Sequence, residues 1–250
     1  MSQKKKSTKS TPDTKGKKGK DAKTADGKRQ RKAKSRADTT RLPMVAAGMR
    51  IGLLGGSFNP AHEGHLRISL VALKRLGLDQ VWWLISPKNP LKDAPDLPSR
   101  KKRVAAAKEL ALHPRIVVTG FMGARRSVYT VDLLAELRQR FPTTHFVWLM
   151  GADNLADFHR WRAWQQLFEM APIAVLDRPG FRHKAMASKA AHRYARNRID
   201  ESDAAALALL EPPAWAILSH PLSGLSSTAL REKGGNAGKK PRQGRNNTSY

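Results

Sequence analysis

The sequence contains no cysteine. Disulfides, thiolate catalysis and cysteine-ligated zinc are therefore excluded, and a reducing interior suits such a chain. Long apolar runs are missing as well: none approaches the roughly 18 residues of a membrane span. The basic N-terminus has no apolar stretch behind it and does not read as a secretory signal, and its four Asp and many Lys oppose a mitochondrial transit reading. A soluble, cytoplasmic protein is expected. Acidic residues are scarce, 20 against 47 Lys and Arg, for a formal net charge of +27. That excess is uneven. Residues 1–41 carry 16 Lys/Arg and 4 Asp/Glu, and residues 231–250 carry 6 and 1, so the ends hold well over half of it.

Residues 1–41 also lack aromatics and have almost no large apolar side chains. Such a segment cannot bury enough surface to offset its ordering entropy. Disordered basic tails are expected at 1–42 and 233–250, around one folded domain at 43–232. The N-terminal tail reads either as a polybasic arm for nucleic acid or acidic lipid, or as a solvated leader upstream of Met44 or Met49. The absence of aromatics to stack on bases favours the leader.

Apolar residues make up 40% of the chain, enough for a real core. From residue 50 strand-like and helix-like runs alternate. Strands are expected at Ile51–Leu54, Val81–Ile85, Arg115–Thr119, His145–Met150, Ile173–Leu176 and Trp215–Leu218. Helices are expected at Gly64–Leu76, stopped by Gly77; from Arg100, capped by Ser99, to about Leu112; at Thr130–Arg140, Asn154–His159, Trp164–Met170 and Ala204–Leu210; and over a last turn or two at Ser226–Glu232. Residues 178–200 read as basic and irregular or helical. No internal repeat is found. The pattern predicts an α/β, Rossmann-like, doubly wound parallel sheet, with ligands at the carboxyl ends of its strands.

The loop after the first strand is the richest in chemistry. Gly55 and Gly56 read as a turn that lets backbone approach a ligand. His62 and His65 are expected on one side of the first helical turn, where unpaired N–H groups and the helix dipole favour an anion. Phosphate oxygens would be held by these N–H groups, the Gly56–Ser57 backbone and imidazole donors. A His-x-x-His metal site lacks an evident third ligand. The dinucleotide fingerprint G-x-G-x-x-G and the Walker lysine are both absent, so neither a Rossmann dehydrogenase nor a P-loop NTPase is supported.

The stretch Gly55-Gly56-Ser57-Phe58-Asn59-Pro60-Ala61-His62-Glu63-Gly64-His65 resembles the G-G-[ST]-F-[DN]-P-x-H-x-G-H signature of bacterial nicotinate-nucleotide adenylyltransferases, within the HxGH nucleotidyltransferase superfamily. Leu225-Ser226-Ser227-Thr228-Ala229-Leu230-Arg231 is similar to the superfamily's I-S-[ST]-T-x-x-R. Between them, Ser86–Lys92 resembles a P-x-x-x-P-x-x-K loop, Arg126–Leu134 an S-Y-T-x-D-T-L block with Val128 inserted or shifted, and Gly151–Leu155 with Phe158 and Trp161 a G-x-D-x-L…F-x-x-W block. The resemblance covers residues 50–231. The family's further C-terminal helix is replaced by Gly234-Gly235-Asn236.

The resemblance implies adenylyl transfer from ATP to nicotinate mononucleotide, giving deamido-NAD and pyrophosphate. It implies catalytic roles for His62, His65 and Arg231. ATP would meet Gly55, Gly56, Ser57, Phe58, Lys88, Ser226, Ser227, Thr228 and Arg231. Nicotinate mononucleotide would meet Asn89, Lys92, Tyr129, Thr130, Asp153 and Trp161. Mg²⁺ would be held by ATP phosphates and water, with no metal ligand from the protein. Other readings stay open: Trp161 as a core residue, Asp153 as the cap of a helix starting at Asn154, and Lys88 and Lys92 as solvated charges. Trp82 and Trp83 read as packing. The alternatives in function are a nicotinamide-nucleotide or pantetheine-phosphate adenylyltransferase, and a basic nucleic-acid-binding protein.

Overall fold

The structure, a computed structural model, describes residues 42–87, 97–121 and 127–219. Six strands form one sheet: β1 Arg50–Gly56, β2 Gln80–Ile85, β3 Ile116–Thr119, β4 His145–Gly151, β5 Ile173–Leu176 and β6 Trp215–Leu218. Every pairing is parallel, and the order is β3-β2-β1-β4-β5-β6. The order reverses between β1 and β4, which opens a crevice at the carboxyl ends of those two strands.

Side-chain alternation explains why the sheet is covered twice. Ile51, Leu53, Trp82, Leu84, Phe146 and Trp148 join one core cluster. Their neighbours Leu54, Val81, Trp83, Ile85, Val147 and Leu149 join the other. Each strand therefore buries successive residues on opposite faces, as a parallel sheet between helical layers requires. On the first face lie α3 (Thr130–Arg140), through Val131, Leu134 and Leu137, and α5 (Trp164–Met170), through Leu167 and Phe168. On the second lie α1 (Glu63–Arg75), through Ala72 and Leu73, and α2 (Arg100–Leu110), through Val104 and Ala107. Short helices α4 (Ala152–Ala156), α6 (Arg182–Met186) and α7 (Lys189–Arg193) complete the set. The fold is the doubly wound α/β sheet that the alternating pattern predicts.

Local signals set the boundaries. Ser99 Oγ accepts from the Lys102 N–H at 3.4 Å and starts α2. Gly77, at φ +58°, ends α1 in the left-handed conformation that glycine adopts without a Cβ penalty. Trp82 and Trp83 are fully buried, and the Trp83 indole N–H donates to Ser69 Oγ at 2.7 Å, which satisfies both polar groups inside the core.

Three expectations are corrected. Gly55 and Gly56 are not turn residues: they are the last two residues of β1, paired with Leu84 and Ile85. The expected helix at Ala204–Leu210 is a 3₁₀ helix over Glu201–Leu209, begun by Asp200, whose carboxylate accepts from the Ser202 N–H. Ala204 and Leu207, three apart and both buried, suit its three-residue turn. The expected helix at Asn154–His159 is α4 followed by a 3₁₀ turn at Phe158–Arg160.

Candidate active site

The crevice beside β1 is shaped by what glycine leaves out. A Cβ on Gly55 would lie 2.6 Å from the Trp148 ring, and one on Gly56 would lie 3.2 Å from the Phe58 ring. Both glycines therefore make room for aromatic side chains. The Phe58 ring is 1% exposed and packs against Trp83 at 5.1 Å and His65 at 4.5 Å between centroids. Its backbone sits at φ +47°, a region that costs a bulky residue about 1–3 kcal/mol and persists only where packing over-determines it. The Phe58 ring, expected to meet ATP, is thus packed between Trp83 and His65.

His62 is the N-cap of α1, not a member of its first turn. The two histidines cap the helix together. The Gly64 N–H donates to His62 Nδ1 at 3.1 Å, and the His62 N–H donates to His65 Nδ1 at 3.2 Å. The His65 N–H is taken by the His62 carbonyl at 2.9 Å. This is the reciprocal logic of a capping box with imidazoles in place of Ser and Glu. It corrects the expectation of a cradle built from free helix N–H groups, because the amides of His62, Gly64 and His65 are engaged.

The same bonds fix the ring protons. An Nδ1 that accepts must be unprotonated, so each neutral ring carries its proton on Nε2. The ring centroids are 3.9 Å apart. Burial, the neighbouring His62 and the charge of Arg178 push the His65 pKa down to about 3. Burial, then Arg178, lowers that of His62. Both rings are neutral Nε2–H donors at ordinary pH.

Arg178 was not anticipated. It follows β5, and its guanidinium donates to Asp153 Oδ2 at 2.5 Å, with each side chain about a quarter exposed, 27% and 25%. A signal existed, since the carboxyl end of every strand in such a sheet is a candidate ligand loop. Asp153 itself lies in α4, which begins at Ala152 with Gly151 as N-cap. The reading of Asp153 as a cap of a helix starting at Asn154 is thereby corrected. A Cβ on Gly151 would lie 2.4 Å from Asp153 Oδ1, so this glycine admits the carboxylate. Oδ1 is buried and has no hydrogen-bond partner among the described residues.

The expected pyridine side is built from two segments. Tyr129 is the N-cap of α3 and Thr130 its first residue. The Tyr129 N–H donates to Ser127 Oγ at 3.1 Å, and that hydroxyl donates to Asp132 Oδ2 at 2.5 Å. Trp161 ends the 3₁₀ turn and is partly buried, edge-on to Trp148 at 6.4 Å and tilted against Phe158 at 5.0 Å. Arg162 lies over the Tyr129 ring at 4.6 Å, which ties the two segments together. Ser57 is placed at the end of β1. Lys88, Asn89, Lys92, Ser226, Ser227, Thr228 and Arg231 lie outside the described residues, as does the expected helical turn at Ser226–Glu232. Among the described residues no group of three His, Cys, Asp or Glu could hold a metal ion, and no helix is long and apolar enough to cross a membrane.

Comparison with known proteins gives this geometry its context. The family model described as cytidylyltransferase-like matches residues 53–233. A "Probable nicotinate-nucleotide adenylyltransferase" of Methylorubrum extorquens (strain PA1) is 55% identical over 185 residues, covering 74% of this chain and all of that protein. One of the same name from Parvibaculum lavamentivorans is 49% identical over 195 residues, covering 78% of this chain and 97% of the relative. Among solved structures, the Plasmodium falciparum nicotinic acid mononucleotide adenylyltransferase complexed with NaAD superposes with a TM-score of 0.55 at 18% identity, over 74% of this chain and 83% of the other, a likeness of fold. With relatives matched over 97–100% of their length at 49–55% identity, and a parallel sheet, its switch point and a histidine pair in the expected places, the chain belongs to the nicotinate-nucleotide adenylyltransferase family of cytidylyltransferase-like proteins.

Proposed function

We propose that the protein transfers the adenylyl group of ATP to nicotinate mononucleotide, releasing pyrophosphate and forming deamido-NAD. The observation that carries this reading is the state of the histidine pair: both rings are neutral, and both are locked with a proton on Nε2 beside the switch point. Such rings are donors and poor bases. The reaction needs just that. Its nucleophile is already a phosphate anion, so no general base is required, and the enzyme's work is in-line positioning and charge stabilisation. His62 and His65 donate to ATP phosphate oxygens. Arg178, at the same crevice, adds a guanidinium to the field around them. The resemblance adds Lys88, Ser226, Ser227, Thr228 and Arg231 as further ATP contacts.

Tyr129, Thr130 and Trp161 are proposed to take the pyridine nucleotide, with Asn89 and Lys92 by resemblance. The unpartnered Asp153 Oδ1 supports a contact with a ribose hydroxyl, a donor that would satisfy it. Mg²⁺ is proposed to accompany ATP, held mainly by phosphate oxygens and water, as this ion commonly is in triphosphate sites; it would neutralise charge on the triphosphate. The working domain is proposed to be residues 43–232, acting in the cytoplasm.

Pyrophosphate release with nicotinate mononucleotide, its amide and phosphopantetheine tests the reading. Turnover is expected to be fastest with the acid. Absence of turnover with nicotinate mononucleotide, or a preference for phosphopantetheine, would overturn it.

A further inference from the structure

Arg103 is a residue that no motif singles out. It lies in α2 and is 3% exposed. A buried arginine must find partners for its charge and its donors, and all four of its described partners are backbone carbonyls. Nε donates to Pro98 O at 2.9 Å. Nη1 donates to Ser57 O at 2.5 Å and to Ser86 O at 2.9 Å. Nη2 donates to Pro87 O at 2.9 Å.

These carbonyls come from three places that the sequence keeps apart. Ser57 opens the loop between β1 and the histidine cap. Ser86 and Pro87 are the first residues after β2. Pro98 is where the chain returns to start α2. One planar guanidinium therefore joins the phosphate loop of β1 to both ends of the excursion after β2. The Ser86 N–H adds a direct link, donating to Gly56 O at 2.9 Å. The rigid fork of donors extends that link to Ser57, Pro87 and Pro98, and lysine, a point charge with three donors, cannot reproduce its geometry.

We propose that Arg103 is a positioning residue for the adenylyl transfer: it sets the β1 phosphate loop and the loop after β2 in register, so that the two nucleotides meet in line. The role rests on the reaction proposed above. Arg103 touches neither nucleotide. It acts through the Ser57 carbonyl, next to the strained Phe58 backbone, and through the Ser86 and Pro87 carbonyls.

The test uses the full chain with Arg103→Met, Arg103→Lys and Arg103→Ala, with activity expressed per folded molecule from thermal melts. kcat is expected to fall about 10²-fold in all three, the scale on which a small misplacement of reacting groups costs rate. The KM values for ATP and nicotinate mononucleotide should change far less. Guanidinium ion added to Arg103→Ala should restore part of kcat, while urea at the same concentration should not. A lower melting temperature with kcat per folded molecule unchanged would overturn the proposal and leave Arg103 a core residue only. Amide exchange supplies a readout that needs no substrate. Peptides covering residues 56–59 and 84–87 should exchange faster in Arg103→Met and Arg103→Lys, whereas unchanged exchange there would equally overturn it. If the wild-type protein does not turn over nicotinate mononucleotide, the reading of the reaction fails, and the exchange experiment still decides the role of Arg103.

Discussion

At the scale of single residues, His62 and His65 do two jobs with one arrangement. Each Nδ1 closes the start of α1, and each ring's proton is thereby left on Nε2, its one donor. The proposed mechanism asks for a donor, so His65→Ala should lower kcat by roughly 10²–10³, the usual loss for one transition-state donor, and a near-wild-type rate in steady-state assays would refute it. Because the His65 pKa is pushed down to about 3, this ring should give kcat no limb near pH 6.5; a limb there that vanished in His65→Ala would contradict the assignment. The same shift links to stability. The His65 pKa is about 3 in the fold against 6.5 unfolded. Its contribution is thus fully present above pH 6.5 and is lost as pH falls from there toward 3, by up to roughly 1.4 kcal/mol per pH unit. Urea melts between pH 7.5 and 4.5 should show the wild type losing stability faster than His65→Ala. Trp161 gives a different split. Trp161→Ala should raise the KM for nicotinate mononucleotide more than that for ATP, and an equal effect on both would remove it from the pyridine pocket.

At the scale of elements, the β1–β4 seam sets the crevice. Trp148 of β4 fills the space that Gly55 of β1 leaves, and Trp161 packs edge-on to the same indole. Gly55→Ala should therefore destabilise the fold by about 1–3 kcal/mol through overpacking, and adding Trp148→Phe should recover part of the loss; additive losses in the double variant would show that the two positions do not share this space. The seam also shows what a sequence can and cannot disclose. Alternating apolar runs made the six strands, their parallel pairing and the two core faces legible, because side-chain period and burial are local properties. The ends of α3, α5, β5 and β6 follow from the same pattern. The packing role of Gly55 was not legible, since the Trp148 ring that excludes a Cβ there lies on a strand some ninety residues away, whereas the ring beside Gly56 is that of Phe58, two residues on. Arg103 was illegible for a related cause: its partners are carbonyls that no spacing rule encodes. Arg178 was marked only by its place after β5, and its partner Asp153 comes from α4. The histidine pair was readable as a candidate phosphate site from its place after β1 and its spacing. Its tautomer depended on which backbone N–H groups the rings accept from, and only coordinates give that.

At the scale of the whole molecule, charge and fold are separated along the chain. Residues 1–41 and 231–250 hold 22 of the 47 Lys and Arg but only 5 of the 20 Asp and Glu. The described strands, helices and site residues all fall between those segments. The N-terminal segment has no aromatics, and so lacks the stacking groups that give single strands their affinity. Its remaining means of binding is counterion release from a polyanion, which weakens steeply with salt. A protein trimmed to residues 43–232 is therefore expected to keep full kcat and both KM values at physiological ionic strength. Below about 50 mM salt the full chain should be retained by RNA or DNA and the trimmed one much less, with retention of the full chain vanishing toward 200 mM. Parallel kinetic assays and filter binding on the two proteins separate the outcomes. If removing the N-terminal segment abolished turnover, that segment would belong to the catalytic unit. If binding to nucleic acid survived at 200 mM salt, the tail would be a recognition element in its own right, and the nucleotidyltransferase domain would be one of two functional parts of the chain.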